Sequence, residues 1–269
     1  AAAQEAAKQN QQAARDAAAQ AIADSQPVSN EATVTKARDA LNQLLQDPSS
    51  STADIEKATQ ALVDANTAEQ TKRDTINQQA DAYETKVTNS NQREEPAVQA
   101  ALDALQELQD EAATDSPDAL TADIANALDA LRTAVTQAAK DQAEARDNAA
   151  DALADLAPVS NEPAVQAAKD ALDVLLADST STADDIKQAT QDLLNATSDA
   201  KAERTTANTD AQNAMTDAQN SKQADEPAVQ DALKHLQDVM DAAANDDANA
   251  LTADIIDAQK ALEQAVADA

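Results

Sequence analysis

The 269-residue chain carries 50 Asp and Glu against 19 Lys and Arg, which gives a formal net charge of −31 and a pI of about 4.1. Such acidity argues against binding to nucleic acid or anionic lipid, which both attract basic surfaces. The chain has no Gly and no Cys, which excludes glycine-dependent phosphate loops and hairpins as well as disulfides and thiolate metal sites.

One type of predicted helix begins at a recurring motif. EATVT stands at residues 31–35, and EPAVQ stands at 95–99, 162–166 and 226–230. Proline is tolerated in the first helical turn, and an acidic residue there favours the positive end of the helix dipole. We predict Asn161 and Asp225 as N-caps of two of these helices. Each helix carries one apolar stripe; the stripe residues are Val34, Ala37, Leu41, Leu44, Leu45, Val98, Ala101, Leu102, Leu105, Leu108, Val165, Ala168, Leu172, Leu175, Leu176, Val229, Leu233, Leu236, Val239 and Met240.

A second type of helix begins at a Thr-Ala-Asp or Asp-Asp string before Ile. Thr121 and Thr252 are the predicted N-caps, with an aspartate in the first turn. Leu251 is expected to pack on Ile256 as a hydrophobic staple. The apolar stripe of this type of helix contains Ile124, Leu128, Leu131, Val135, Ile186, Ala189, Leu193 and Ala196.

These second helices are predicted to be long. Residues 53–89, 122–157 and 184–220 contain no Pro, no Gly and no turn cluster. About 36 residues make a helix of roughly 55 Å, which is too long for one small bundle. We therefore predict that each long helix ends one three-helix bundle and begins the next.

The motifs repeat with a fixed period. SNE at 29–31 returns at 160–162, and LTADI at 120–124 returns at 251–255, with the same offset in residue number (160 − 29 = 131 and 251 − 120 = 131). We call this offset the period. Each period contains two related units of about half its length, so that four units follow one another in an A-B-A-B pattern. The predicted fold is all-α: tandem three-helix bundles that share long continuous helices in a spectrin-like elongated rod. The predicted units are 1–72 (type A), 73–140 (type B), 141–204 (type A) and 205–269 (type B).

Few residues are candidates for a chemical site. His235 is the only histidine and Tyr83 the only aromatic residue, and we expect an exposed helix position and a packing role for them. The aspartate pairs at 184–185 and 246–247 are candidates for weak calcium binding, but solvated turns and helix caps explain them better because calcium-loop spacing is missing. We predict no catalytic, cofactor-binding or metal-ligating residue.

The repeats resemble the FIVAR-type three-helix modules of Gram-positive wall-anchored surface proteins, as in staphylococcal matrix-binding proteins and lactobacillal adhesins. The string PAVQAAKDALDVLLADSTSTADDIKQATQDLLNA at 163–196 carries the resemblance. It implies an extracellular stalk, anchored to the cell wall, that displays an adhesive domain. Some relatives bind host matrix proteins. Because the chain begins and ends in helical sequence, we expect it to be part of a longer surface protein whose flanking domains are its partners.

Composition and resemblance together predict a non-enzymatic stalk or spacer without membrane insertion, since no stretch approaches the about 20 apolar residues of a span. A binding module for a host matrix or serum protein, like the three-helix albumin-binding GA domains, is the alternative. An ice-binding helix is a third class, but its regular threonine spacing is missing. An enzyme is least expected because the bundles use the residues that a catalytic pocket would need.

Overall fold

A computed structural model describes residues 2–248 and 250–269. Over these residues the chain is all-α, as the sequence predicts, and contains no strand. The helices are α1 (Ala2–Ala23), α2 (Ala32–Gln46), α3 (Thr52–Thr88), α4 (Pro96–Ala113), α5 (Thr121–Ala154), α6 (Pro163–Ala177), α7 (Ala183–Asn220), α8 (Pro227–Ala244) and α9 (Thr252–Asp268).

Three helices are long, as the absence of Pro and Gly from their segments predicts. Helices α3, α5 and α7 contain 37, 34 and 38 residues. The helices α2, α4, α6 and α8 are shorter, with 15 or 18 residues each. Helices α2, α4, α6 and α8 therefore alternate along the chain with α1, the three long helices and α9.

The chain divides into two compact units, residues 1–138 and 139–269. In the first unit, one apolar core joins α1, α2 and the first part of α3, and a second core joins the last part of α3, α4 and α5 up to Ala138. Helix α3 therefore supplies residues to two cores. In the second unit, α7 does the same between a core with α5 and α6 and a core with α8 and α9.

The cores are built from small residues and a few large aliphatic ones. Every stripe residue that the sequence predicts lies in one of these four cores or packs against it. The largest fully buried side chains are Leu41, Ile55, Leu62, Leu105, Ile124, Leu128, Leu131, Leu172, Ile186, Leu193, Leu236 and Ile255. The limits predicted for four sequence units, and the spectrin-like rod, stay predictions.

The N-caps before proline are glutamates, so the prediction of Asn161 and Asp225 is wrong. Glu162 and Glu226 occupy the cap position in extended conformation, with φ −62° and ψ 136° for Glu162. Proline disfavours helical backbone in the residue before it, which places the boundary directly before the proline. Neither glutamate side chain caps its own helix.

The predicted threonine caps are also wrong by one position. Thr121 and Thr252 are the first residues of α5 and α9. The cap of α9 is Leu251, whose N–H donates to the Asp254 carboxylate at 2.7 Å. This aspartate satisfies the backbone at the helix start, which leaves the threonine hydroxyl free for other partners.

The predicted staple between Leu251 and Ile256 fails for the same reason. With the cap at Leu251, the staple positions belong to Ala250 and Ile255, and both lie in the core that joins α7, α8 and α9. Ile256 is instead 38% exposed.

Candidate functional site: a buried arginine network in each unit

Each unit buries one arginine near the middle of its long helix. Arg73 of α3 is 5% exposed and Arg204 of α7 is 4% exposed, and they stand one period apart (204 − 73 = 131). Arg73 lies on α3 between Leu62 of one core and Ala80 of the next. Because a buried charge is costly unless it is paired and hydrogen-bonded, the partners of these guanidinium groups determine what the position does.

The guanidinium of Arg73 is bonded to three separate segments. Its Nη2 donates to Glu31 Oε1 at 2.9 Å, and its Nη1 donates to the carbonyls of Pro27 at 2.6 Å and Ala112 at 2.9 Å. Its Nε donates to Thr121 Oγ1 at 3.1 Å. These partners belong to the α1–α2 connection, the end of α4 and the start of α5. We call the five residues the first arginine network.

The second arginine network repeats the first at every position. Arg204 donates to the carboxylate of Glu162 and to the carbonyl of Pro158. It also donates to the Ala243 carbonyl at 2.7 Å and to Thr252 Oγ1 at 3.2 Å. Each partner stands one period after its counterpart, so the repeat preserves the whole set of donors and acceptors.

The glutamate carboxylates complete the networks by accepting a hydrogen bond from the first backbone N–H of α5 and of α9. Thr121 N–H donates to Glu31 Oε1 at 2.7 Å, and Thr252 N–H donates to Glu162 Oε1 at 2.7 Å. The first N–H groups of a helix lack helical partners and lie at the positive end of its dipole. The glutamates were predicted to serve the helices that they precede, but their carboxylates serve α5 and α9 instead.

The environment of these glutamates favours the charged form. Burial raises the pKa of Glu31, but the hydrogen bonds from Thr121 and the Arg73 guanidinium outweigh burial and hold the pKa below its ordinary value of 4.5. The pKa of Glu162 is lowered for the same reasons by Thr252 and Arg204. Each network is thus a charged pair stabilised by backbone and hydroxyl groups.

A left-handed aspartate ends α4 beside the first network. Asp115 has φ 60°, a conformation that glycine usually supplies and that this glycine-free chain gives to aspartate. Its N–H bonds to the Ala112 carbonyl at 3.1 Å, and the Ser116 N–H bonds to the Glu111 carbonyl at 3.2 Å. These two bonds form a Schellman motif, which satisfies the last carbonyls of the helix. Asp246 has φ 58° at the end of α8.

The Asp115 side chain explains why aspartate stands there rather than a smaller residue. Its carboxylate accepts from the Ser29 N–H at 3.0 Å and from the Ser29 hydroxyl. The Asn30 side-chain amide donates to the Asp115 carbonyl. The turn after α4 is thereby bonded to the α1–α2 connection, the same segment that supplies Pro27 and Glu31.

The second unit contains the same turn. Asp246 Oδ1 accepts from the Ser160 N–H at 3.0 Å, and its carbonyl accepts from the Asn161 side chain at 2.7 Å. Asn161, predicted as an N-cap, therefore bonds to the turn after α8. Among the described residues, no group of three or more His, Asp or Glu is placed to hold a metal ion.

Another arginine pair acts within single bundles. Arg15 of α1 donates to the carbonyls of Leu45 at 2.7 Å and Asp47 at 3.1 Å, at the end of α2. Arg146 of α5 donates to the corresponding carbonyls at the end of α6, both at 2.8 Å. Cations are favourable at the negative end of a helix dipole. Each of these arginines thus caps the short helix that shares its core.

Helix α5 carries a neutral residue where α3 and α7 carry the buried arginine. Leu62 of α3 and Leu131 of α5 hold the same place in their cores, 69 positions apart (131 − 62). The same shift matches Arg73 to Gln142, which is also buried. The Gln142 amide donates to the Ser181 carbonyl at 3.1 Å. A charged network and a neutral residue thus alternate along the long helices.

Glu69 is a feature of the first unit alone. It lies one helical turn before Arg73 and is buried, and Ala200 holds its place in the second unit. The Thr33 hydroxyl donates to Glu69 Oε1 at 2.6 Å, and Lys72 pairs with the same oxygen at 2.9 Å. Together these bonds lower the pKa of Glu69 from its ordinary value.

His235 and Tyr83, the only histidine and the only aromatic residue of the chain, lie apart from the networks. His235 is exposed on α8. Tyr83 is half-buried against the second core of the first unit, with Lys86 and Arg132 each 5.6 Å from its ring centroid, which agrees with the predicted packing role. None of the described helices is both long enough and apolar enough to span a membrane.

The networks were missed at the sequence level, although a signal for them exists. The chain has seven arginines, and four of them form two pairs at the repeat period: 15 with 146, and 73 with 204. Arg73 also falls on the buried face that Leu62 and Ala80 define. A rare charged residue that keeps both the repeat period and the core register indicates a buried partner.

Comparison of the chain with protein-family models, with curated proteins and with solved structures finds no match.

Proposed function

We propose that this chain is a non-enzymatic stalk or spacer of a bacterial cell-surface adhesin, which projects an adhesive domain from the cell wall. The observation that supports a spacer most directly is the arginine network, built twice with the same partners at the same spacing. The bacterial cell surface as its location rests on the resemblance of residues 163–196 to FIVAR-type modules.

The network suits a spacer because a spacer must hold neighbouring bundles in a fixed orientation. Cores rich in alanine bury little apolar area, and apolar contacts have little directional preference. Charge-assisted hydrogen bonds to a planar guanidinium are directional. Arg73 therefore restrains the bundle that contains Glu31 against the bundle that contains Thr121, while α3 runs through both without a loop.

The charge also suits a repeated spacer. A net charge of −31 keeps copies of a chain apart and in solution. Long helices covered by carboxylates would present a solvated surface between the cell wall and the displayed domain.

Display on cells tests the spacer function directly. An epitope is joined to one end of the chain and a wall anchor to the other, and antibody access to the epitope is measured on encapsulated cells. We expect access to rise when one full period of the chain is duplicated and to fall when one is deleted. Access that does not depend on the number of periods would contradict the proposal. Small-angle scattering of the purified chain tests the spectrin-like rod that the sequence predicts, and a compact globule would contradict it.

A host-protein binding module is the alternative, and one observation favours it. Val63 of α3 and Leu194 of α7 occupy corresponding positions and are 41% and 43% exposed. Single exposed apolar side chains are normal on a protein surface, so it is their recurrence at one position of the repeat that favours a contact role. Pull-down from serum and from matrix extracts tests this, with a Val63→Ser and Leu194→Ser variant as the control. Capture that the variant abolishes would establish the alternative, and no capture by either protein would leave the spacer as the better function.

A further inference from the structure

We propose that the two bundles of each unit unfold together as one mechanical element, and that the arginine network is what couples them. This goes beyond the spacer function, because a spacer can equally be a series of bundles that yield one at a time. The proposal concerns each unit by itself.

The composition of the network is the first argument. Pro27 and Glu31 belong to the first bundle of the unit, whereas Ala112 and Thr121 belong to the second, and Arg73 lies on the helix between them. If the first bundle unfolds alone, the guanidinium loses its carboxylate. If the second bundle unfolds alone, the Glu31 carboxylate loses the Thr121 N–H, and Arg73 loses half of its acceptors. Either intermediate leaves a charge without partners that it has in the folded unit, which is unfavourable.

The left-handed aspartate is a second tie between the same two bundles. Asp115 belongs to the second bundle, and its Ser29 and Asn30 partners belong to the first. A non-glycine residue in this conformation is maintained by the contacts around it. Loss of the first bundle removes those contacts and weakens the end of α4, so the second bundle is destabilised as well.

A continuous helix need not carry a guanidinium network, and α5 is the example. Helix α5 is as continuous as α3. Gln142 stands in α5 where α3 carries Arg73, with no guanidinium to join several segments. The charged network is therefore present on α3 and α7 and is replaced by a neutral side chain on α5.

Force spectroscopy on the whole chain, pulled from its two ends in optical tweezers, tests the proposal. Each unit is expected to unfold in one step, whose size is about 450 Å of extended chain, at about 3.4 Å per residue, less the length that the folded unit already spans. Two such full-length steps are the expected record of the wild-type chain. Four steps of half that length would overturn the proposal, because they would show bundles that yield separately.

Variants of the first unit assign the coupling to the network while the second unit stays as an internal reference. Arg73→Gln gives α3 the residue type of α5, and Arg73→Gln with Glu31→Gln removes both charges. Both variants are expected to split one full-length step into two half-length steps and to leave the other full-length step intact.

A matched control separates this coupling from the loss of any arginine. Arg15 bonds only within one bundle, so the record of Arg15→Gln is expected to keep two full-length steps. Unsplit steps in both Arg73 variants, with helix content retained in circular dichroism, would overturn the role of the network.

Discussion

The ion pair between Arg73 and Glu31 makes a quantitative prediction for a double-mutant cycle. Arg73→Leu removes all four hydrogen bonds that the guanidinium donates and leaves the Glu31 carboxylate buried with Thr121 alone. Removal of one partner from a buried ion pair costs about 3–5 kcal/mol, because the other charge stays behind. Glu31→Gln leaves the guanidinium without a carboxylate, with only carbonyl and hydroxyl acceptors, at a similar cost. The double variant removes both charges of the pair, so we expect it to lose less than the sum of the single variants, by at least about 1–2 kcal/mol.

Thermal unfolding followed by calorimetry measures these costs in the full chain. For a unit of this size, 1 kcal/mol corresponds to roughly 4 °C, so each single variant is expected to lower the melting of the first unit by about 12–20 °C. The second unit, with Arg204 and Glu162 intact, provides an unchanged transition for reference. Arg132→Leu is a matched control, because Arg132 makes an exposed pair with Asp129 and a contact with the Tyr83 ring. Each such exposed contact contributes at most about 1 kcal/mol. Additive effects of Arg73→Leu and Glu31→Gln, or single-variant losses below about 1 kcal/mol, would refute the reasoning.

Three further predictions concern acid, the left-handed turn and the helix caps. The pKa values of Glu31 and Glu162 are lowered in the folded chain. Their contribution to the free energy of unfolding is therefore complete above the ordinary pKa of 4.5 and is lost as the pH falls through the lower folded values. Urea unfolding between about pH 5 and pH 2 is expected to depend less on pH in a Glu31→Gln, Glu162→Gln variant than in the wild type. Asp115→Ala is expected to cost about 1–3 kcal/mol in urea unfolding and Asp115→Gly less, because both lose the side-chain bonds but only alanine is strained at φ 60°; equal losses would contradict this. Arg15→Gln is expected to cost about 1 kcal/mol, since a partly exposed cap is lost, and a loss as large as that of Arg73→Leu would show that the two arginines are not distinguished by burial.

The sequence predicts the helices and cores well because their signals are local or periodic. Pro96 marks the start of α4, and the apolar stripe from Val98 to Leu108 lies in or against the second core. The absence of Pro and Gly between 53 and 88 correctly indicates one continuous helix. Each of these features depends on residues within a few turns of one another.

The networks depend on contacts that no local pattern contains. Glu31 and Thr121 are far apart in the sequence (121 − 31 = 90) and belong to different bundles. Local rules assign the Glu31 carboxylate to its own helix start and Thr121 to a cap. The carboxylate instead accepts from Arg73 and from the Thr121 N–H, and Thr121 is the first residue of α5. The sequence indicates the arginine partner through two features together: arginine recurs at 73 and 204, and Arg73 falls on the apolar face of its helix.

The position of the first arginine network within the repeat limits how such a chain can change in length. All of its members, from Pro27 to Thr121, lie inside one period, and the second network lies inside the next. Gain or loss of DNA that encodes one full period therefore leaves every charged pair intact. Gain or loss of half a period would place a long helix that carries Gln at the network position beside the glutamate and threonine that normally bond to arginine. Viable homologues of this chain are accordingly expected to differ by even numbers of bundles.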